Sequence, residues 1–367
     1  MTETTAKSSD GFSTQDIEGL FLLSPTQAGM LYHSLSAPGV YFEQSILRID
    51  GELDVEVLRN AWQRIVDHHE VLRTSFSWDD PEKPVQIAHR RVILPFAEHD
   101  WRELKQTEQD NRLEVFVRDD RDAGFDFAKP PLMRFALIRL TDDSYRLIWS
   151  HHHALLDGWS QSLVLRQVFT LYDALAKGEA ASLPPSTSYR EYIEWLAKQD
   201  LRDAENFWRK SLSGFTAPTS LGAGRVSSDS HDEVLEHGEL TLRLSSEFHT
   251  ELQAFARKHR LTSFTLMLGA WALLLSRYSG TDDVLFGTTV SVRPHELPDI
   301  ESAAGLFINT IPVRTQLDSK SDALSWLKDL QTEAVEMREH QHASLIDIQG
   351  WSDVPRGLPL FESILIF

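Results

Sequence analysis

A segment rich in helix-breaking residues, 177–188, divides the chain close to its middle. It contains Gly178, Pro184 and Pro185 among small and polar residues, which is the composition of a linker between folded parts. On both sides of it, stretches of β-forming residues alternate with amphipathic helical patterns, in a rough order of strand, helix and strand. Because 367 residues exceed one ordinary core unit, this division predicts two α/β subdomains, each a sandwich of helices and sheet.

The limits of the two subdomains follow from the same pattern. We expect a flexible N-terminal tail at 1–16, because this stretch is polar and has no apolar periodicity. The first subdomain then covers 17–180 and the second covers 181–367. The last residues, 361–367, are apolar and have no polar finish, which is unusual for a complete domain. We therefore expect the second subdomain to be incomplete.

Individual elements are predicted from periodicity and from cap residues. Ser24 followed by Pro25 marks a helix start, and the apolar residues of 53–69 recur at helical spacing. Further helices are predicted at 101–121, 160–176, 189–212, 246–259, 263–279 and 321–340. Strands are predicted at 41–49, 72–78, 84–88, 132–140, 144–150, 240–244, 284–292, 310–317 and 361–367. The Gly-, Ser- and Asp-rich segment 221–236 is predicted to be a mobile surface loop.

The composition excludes several classes of function. The formal net charge is −19, which disfavours non-specific binding to nucleic acid or to an anionic membrane. The chain contains no Cys, which removes disulfides, thiolate zinc sites, iron–sulfur clusters and a Cys nucleophile. No apolar run is long enough for a transmembrane helix, and the N-terminus has no apolar signal region. We expect a cytoplasmic protein with neither nucleic acid nor membrane as a partner.

The residues most able to do chemistry follow a β-rich run and precede a long helix, in the sequence SHHHALLDGWS. Because strand side chains alternate, His151 and His153 face one way and His152 the other, so the three rings make a poor metal cluster. Two interpretations remain open. Either these are structural histidines with Asp157 capping the next helix, or one ring is a base or positioning acceptor near pH 7. In the second case Gly158 permits close approach of a substrate.

Residues 152–158 (HHALLDG) match the HHxxxDG signature of condensation domains of nonribosomal peptide synthetases, which are relatives of chloramphenicol acetyltransferase. Other stretches resemble further motifs of this family, in the family's order. They are 23–32 (LSPTQAGMLY), 69–76 (HEVLRTSF), 189–195 (YREYIEW), 305–314 (GLFINTIPVR) and, more loosely, 340–345 (HQHASL). Residues 287–294 (GTTVSVRP) fit the family's crossover-strand region. The seventh motif of the family is absent, in keeping with an incomplete second subdomain.

The resemblance implies an α/β fold of two chloramphenicol-acetyltransferase-like subdomains in a V-shape, with a central tunnel between them. It implies an amide-forming acyltransferase of antibiotic and other secondary-metabolite biosynthesis. The amine of an acceptor aminoacyl thioester attacks a donor acyl or peptidyl thioester, and both substrates are carried on phosphopantetheine arms. The implied partners are donor and acceptor peptidyl carrier proteins and an adjacent adenylation domain. The domain itself is expected to bind no cofactor and no metal.

The resemblance also implies a catalytic set, which comprises His153, His152, Asp157 and Gly158. His153 is the ring in the tunnel, and it acts either as a general base or as an acceptor that positions the amine. Gly158 lies beside the reacting atoms, where any side chain would narrow the tunnel. Asp157 is expected to be structural and to form a buried ion pair with an arginine. Arg73 and Arg293 both lie in matching motifs and are the candidates for that partner.

Three residues are predicted to contact substrate, namely Asn309, Trp159 and Ser160. Asn309 lies in the fifth motif, while Trp159 and Ser160 directly follow the HHxxxDG signature. A strand-capping or turn role remains an alternative for Asn309, and core packing remains one for Trp159.

Three other activities remain as alternatives to condensation. A non-catalytic docking module of the same fold is disfavoured by the intact HHxxxDG set, since docking members often lose it. An epimerisation domain keeps the signature but tends to follow it with a different tail. A stand-alone acyltransferase that uses coenzyme A would be distinguished by activity on free coenzyme A thioesters.

Overall fold

The structure is a computed structural model that describes residues 16–37, 39–78, 80, 83–221, 238–318 and 320–367. The chain divides into two compact units. The first extends to Gln199 and also contains Arg293–Ile308, and the second consists of Asp200–Val292 and Asn309–Phe367. The predicted tail at 1–16 lies outside the described residues except for Asp16, and the predicted loop at 221–236 does so except for Leu221.

This division differs from the boundary predicted between residues 180 and 181. The segment after the linker stays with the first unit because its side chains contact that unit. The Tyr189 hydroxyl donates a hydrogen bond to the Leu306 carbonyl at 2.9 Å, and Arg190 pairs with Glu70. Arg293–Ile308 returns to the first unit from much later in the chain, which no local pattern signals.

The first unit contains seven strands and five helices in its described residues. Its strands are β1 (Ile17–Leu22), β2 (Phe42–Asp50), β3 (Thr74–Ser77), β4 (Val85–His89), β5 (Phe96–Asp100), β6 (Met133–Arg139) and β7 (Ser144–His152). Its helices are α1 (Pro25–Ser36), α2 (Val55–His68), α3 (Gln106–Ala123), α4 (Gly158–Ala176) and α5 (Tyr189–Leu196). The capped start of α1 is confirmed, because Ser24 and Gln27 form a reciprocal capping box.

Two sheets organise this unit. The larger has the order β2-β7-β6-β5, in which only the β5–β6 pair is parallel. The smaller has the order β1-β4-β3 and is antiparallel. The predicted pairing of the strands at 132–140 and 144–150 is confirmed, since β6 and β7 are antiparallel neighbours with Leu137 opposite Leu147.

The core of the first unit is aromatic and lies between α2 and the larger sheet. Trp62 of α2 packs against Phe135 of β6 and Trp149 of β7, with ring centroids 4.2 and 5.0 Å away. Phe135 and Trp149 stack on each other at 5.9 Å. Three large buried rings remove much apolar surface from water, so they fix α2 on the sheet that carries the histidines.

The second unit contains the elements α6 (Arg202–Ser211), α7 (Ser246–His259), α8 (Ser263–Ser279), β8 (Asp283–Ser291), β9 (Ile308–Gln316), α9 (Ala323–Glu339), α10 (Leu345–Trp351) and β10 (Ile364–Leu365). Its sheet has the order β10-β8-β9, and β10 pairs with β8 in parallel. The mixed α/β fold class is therefore confirmed in both units.

Some element predictions are wrong. The strand predicted at 240–244 has no regular structure, and Leu240 and Leu242 are 97% and 82% exposed. An alternating pattern forms a strand only where a neighbour supplies hydrogen bonds. The helix predicted at 189–212 is two helices, because the Asp200 carboxylate accepts from the Arg202 backbone and starts α6 anew. No described helix is long and apolar enough to cross a membrane.

Candidate active site

The signature 152–158 occupies the connection between β7 and α4. His152 is the last residue of β7, and its neighbour on β2 is Phe42. The backbone continues this pairing for one more step, since the amide of His153 donates to the Tyr41 carbonyl at 2.9 Å. Asp157 then caps α4, whose first residue is Gly158. The chain therefore turns from strand to helix within five residues, and both ends of the turn are fixed.

His153 keeps one ring nitrogen available. Its Nδ1 lies 2.8 Å from the Leu156 carbonyl oxygen, which can only accept, so Nδ1 carries the proton. Nε2 consequently holds the lone pair of the neutral ring. The side chain is 22% exposed, and Nε2 lies 3.5 Å from Oε1 of Glu43. The arrangement leaves a basic nitrogen at the surface of the first unit.

His152 is held in the opposite way. Its Nδ1 accepts from the Ala154 amide at 3.2 Å, so its Nε2 carries the proton and donates to the Ser34 hydroxyl at 3.0 Å. Burial lowers the pKa of His152 to about 4, and the neighbouring His153 lowers it further. The ring is therefore neutral at pH 7 and both of its nitrogens are occupied. Predicted as catalytic, it is placed by the structure where it supports the turn.

Asp157 is buried and contacts three donor groups. Oδ1 caps α4 by accepting from the Ser160 amide at 2.8 Å, and Oδ2 accepts from the Phe307 amide at 2.9 Å. Arg293 lies within ion-pair distance, with Nη2 3.7 Å from Oδ1. The carboxylate thus joins the signature to the segment 293–308, which returns from far along the chain.

Arg293 distributes its donors over the same returning segment. Nη1 donates to the carbonyls of Ile300 and Ala303 at 2.6 and 3.0 Å, and the guanidinium lies 4.0 Å from the centroid of the Phe307 ring. Burial lowers the pKa of Arg293, and the negative charge of Asp157 counteracts this effect. Buried charges are tolerated only when they are paired and hydrogen-bonded, as they are here.

Arg73, the other predicted partner of Asp157, makes a different set of contacts. Its Nη1 pairs with Glu18 at 2.6 Å and bonds to the His89 carbonyl, and its Nε donates to the Val66 carbonyl at 3.0 Å. Arg73 therefore ties α2 to the smaller sheet. Both arginines lie in matching motifs, and only the tertiary contacts distinguish the two candidates.

The residues that follow Asp157 face two directions. Gly158 is exposed, and a Cβ added to it would meet no atom within 4 Å. Trp159 is 56% exposed, and its indole nitrogen donates to the Glu301 carbonyl at 3.3 Å. Ser160, predicted to contact substrate, is instead fully buried. Its hydroxyl donates to the Gly305 carbonyl at 2.8 Å and accepts from Arg293 at 2.9 Å.

Asn309, also predicted to contact substrate, has its amide group engaged within the second unit. Nδ2 donates to the carbonyls of Gln341 and Ala343 at 2.8 and 2.7 Å, and Oδ1 accepts from the Thr310 amide at 2.9 Å. These contacts correspond to the alternative structural role, in which Asn309 ties β9 to the turn after α9.

Glu43 of β2 was missed by sequence reasoning. Its Oε2 accepts from Nε2 of Gln161 at 3.3 Å and lies 3.7 Å from Nε2 of His151. His151 itself stacks on Trp149 and is neutral, because burial lowers its pKa to about 3. The register that sets Glu43 opposite His151 follows from the β2–β7 pairing, and the sequence signalled only that 41–49 is a strand.

No group of three His, Asp or Glu side chains in the described part of the chain is placed to hold a metal ion. The side chains around 152–158 donate or accept hydrogen bonds mostly within the fold. What the arrangement offers chemically is one basic ring nitrogen, one nearby carboxylate and open space at Gly158.

Comparison with known families agrees with this geometry. A family model described as "Condensation domain" matches residues 17–367, and the chain belongs to this family. One protein of the linear gramicidin synthase of Brevibacillus parabrevis is 44% identical over 354 residues, which are 96% of this chain and 7% of the relative. Surfactin synthase subunit 3 of Bacillus subtilis (strain 168) is 33% identical over 358 residues, 97% of this chain and 28% of the relative. The chain thus spans a small part of the length of these relatives.

Solved structures share the fold at low sequence identity. The first condensation domain of the calcium-dependent antibiotic synthetase, in complex with a substrate analogue, has a TM-score of 0.77 and 19% identity, and the match covers 95% of this chain and 80% of that one. The X-domain from teicoplanin biosynthesis has a TM-score of 0.74 and 24% identity, with 94% and 76% covered. The predicted family and the fold class of condensation domains are confirmed.

Proposed function

We propose that this chain forms a peptide bond between two carrier-bound substrates. The amine of an acceptor aminoacyl thioester attacks the carbonyl carbon of a donor acyl or peptidyl thioester. The observation that carries the proposal is the state of His153, whose Nδ1 is committed to the Leu156 carbonyl while Nε2 presents a lone pair near the exposed Gly158. Membership of the condensation-domain family supports it.

The chemistry requires little from the protein. A thioester is already activated, and holding the amine against it supplies an effective molarity worth about 7–11 kcal/mol. In the reaction the C–N bond forms and the C–S bond breaks, with the thiolate of the donor arm as the leaving group. Nε2 of His153 accepts an N–H hydrogen bond from the amine and takes its proton, which goes on to the departing sulfur. The product amide remains on the acceptor carrier.

The surrounding residues divide this work. His153 is the catalytic residue, since its Nε2 touches the amine. His152 and Asp157 are positioning residues, because their contacts hold the turn that bears His153. Gly158 leaves room for the thioester, and the exposed Trp159 borders it. Ser160, Arg293 and Asp157 fix the start of α4 on the segment 293–308.

The partners follow from the substrates. We propose a donor and an acceptor peptidyl carrier protein, whose phosphopantetheine arms bring the two thioesters, and an adjacent adenylation domain that loads an amino acid. The matched relatives are synthase proteins many times longer than this chain, which supports neighbouring domains of this kind. A cytoplasmic location is part of the same proposal.

The decisive experiment is intact-protein mass spectrometry of an acceptor carrier after mixing with a loaded donor carrier and the domain. The acceptor carrier is expected to gain the mass of the donor acyl group, and the His153→Ala variant is expected to remove that gain. A donor acyl group offered on free coenzyme A, in place of the donor carrier, separates condensation from a coenzyme A-dependent acyltransferase. Absence of any mass gain with several matched carrier pairs would show that the domain does not condense.

A further inference from the structure

Two hydrogen-bond acceptors face each other at the edge of the β2–β7 pair. Oε1 of Glu43 lies 3.5 Å from Nε2 of His153, and Nε2 holds a lone pair because the proton of the ring is on Nδ1. Neither atom has a hydrogen-bond partner among the residues that the structure describes. Two facing acceptors repel unless a group with hydrogens to donate lies against both of them.

The position of Glu43 is fixed by the fold. Gln161 of α4 donates from Nε2 to Oε2 of Glu43 and lies at the same distance, 3.3 Å, from Nε2 of His151. Oε2 is thereby occupied, and the other carboxylate oxygen is directed at His153. His151 stays neutral because burial lowers its pKa to about 3, so it does not neutralise the carboxylate. The Glu43 side chain is 37% exposed and is open to a ligand.

We infer that Glu43 and His153 together form the site that receives the acceptor's amino group, and that Glu43 selects an amine over a hydroxyl nucleophile. This inference rests on the proposed function for the identity of the substrate. Glu43 is a substrate-binding and positioning residue in this scheme, and it takes no part in bond making.

The geometry suits an amino nitrogen. A nitrogen ~2.9 Å from both atoms, the usual N–H···O or N–H···N length, sees them about 75° apart. The hydrogens of an amino group are separated by ~109°, so each hydrogen bond bends by less than about 20° and stays within the favourable range. One amino group can therefore donate to both acceptors at once.

A hydroxyl group cannot do the same. It has one hydrogen, so it can donate to Glu43 or to His153 but leaves its own lone pairs against the other acceptor. An ammonium also gains a charge-assisted hydrogen bond to the carboxylate, which is roughly twice as strong as a neutral one. The site therefore favours an aminoacyl over a hydroxyacyl acceptor.

The test measures binding without reaction. The probes are alanyl-pantetheine and lactoyl-pantetheine with the thioester replaced by an amide, so that they differ only in amine against hydroxyl. Their dissociation constants are measured by NMR titration for the wild type, Glu43→Gln, Glu43→Ala and Glu52→Gln. Glu52 is exposed, so the last variant matches the charge change of Glu43→Gln in the same unit and away from the histidines.

We expect the wild type and Glu52→Gln to prefer the alanyl probe by about tenfold or more, the range of one charge-assisted hydrogen bond. Both Glu43 variants should lose this preference, because Gln brings an N–H that bonds to Nε2 of His153 and Ala brings no acceptor. Melting curves identify any variant that is unfolded, and the second Glu43 variant then carries the test.

A preference that survives in a folded Glu43 variant, or is absent in the wild type, overturns the inference. These results are independent of catalysis. If the wild type prefers the alanyl probe but transfers no acyl group between carriers, the proposed function fails while the amine site stands.

Discussion

Two adjacent histidines in the same seven-residue segment have opposite environments. Both ring nitrogens of His152 are hydrogen-bonded inside the first unit, whereas Nε2 of His153 has no hydrogen-bond partner among the described residues. The same contrast separates Asp157, which is buried and accepts two backbone hydrogen bonds, from Gly158, which is exposed beside open space. The difference teaches that one half of the signature holds the structure and the other half meets the substrate.

The structural half is tested most severely by Asp157→Ala. We expect it to lower the free energy of unfolding by about 3–5 kcal/mol, because Arg293 would remain buried without its partner and the Phe307 amide would lose its acceptor. Urea unfolding measures this loss. Asp54→Ala is the matched control, since Asp54 caps α2 but is exposed, and it should cost about 1 kcal/mol. Equal losses in the two variants would contradict the anchoring role of Asp157.

The two histidines should respond differently to substitution by alanine. His153→Ala is expected to lower the rate of amide formation by about 100-fold or more and to leave the melting midpoint nearly unchanged, since its Nε2 bonds to nothing in the described structure. His152→Ala should lower the free energy of unfolding by about 2 kcal/mol or more, because a buried ring and two hydrogen bonds are lost. Carrier-based mass spectrometry and thermal melts measure the two effects, and a reversed pattern would exchange the two roles.

Buried histidines should also make the stability depend on pH. The pKa of His152 and of His69 is lowered to about 4 and that of His151 to about 3, in each case chiefly by burial. Below the unfolded value of about 6.5, the unfolded chain binds protons that the folded chain does not, so stability falls with falling pH. Each ring contributes at most about 1.4 kcal/mol per pH unit between about 6.5 and its folded pKa.

Urea unfolding between pH 7.5 and pH 4.5 measures this slope. His152→Gln should reduce it by the contribution of one ring, whereas His295→Gln should leave it unchanged because that side chain is 93% exposed. An unaltered slope in His152→Gln would mean that His152 is not held neutral.

The smallest expected effect is that of Gly158→Ala. The added methyl group meets no atom within 4 Å, so the free energy of unfolding should change by less than about 1 kcal/mol. Amide formation should nevertheless fall, because the methyl group occupies the space beside His153 that the thioester requires. Gly350→Ala is the control, since a Cβ there also meets nothing and should leave the rate unchanged. Full activity in Gly158→Ala would remove the need for open space there.

The sequence predicted much of the fold at the level of single elements. The helix at 246–259 has the predicted bounds, and 263–279 is likewise observed as α8. Strands β5 and β1 and the short helix α10 were not predicted, because each is too short to give a clear period. The exposed leucines at 240–244 gave the pattern of a strand without the neighbouring strand that would stabilise it.

The sequence by itself determined the family, the position of the histidines at a strand end and the capping of α4 by Asp157. These depend on residues close together in the chain, where spacing fixes geometry. Only the tertiary structure decided that Arg293 rather than Arg73 approaches Asp157, that the Ser160 hydroxyl is buried, and that Glu43 faces His153. Each of these contacts joins residues brought together by strand pairing or by a returning segment, and local patterns carry no information on which distant atoms will meet.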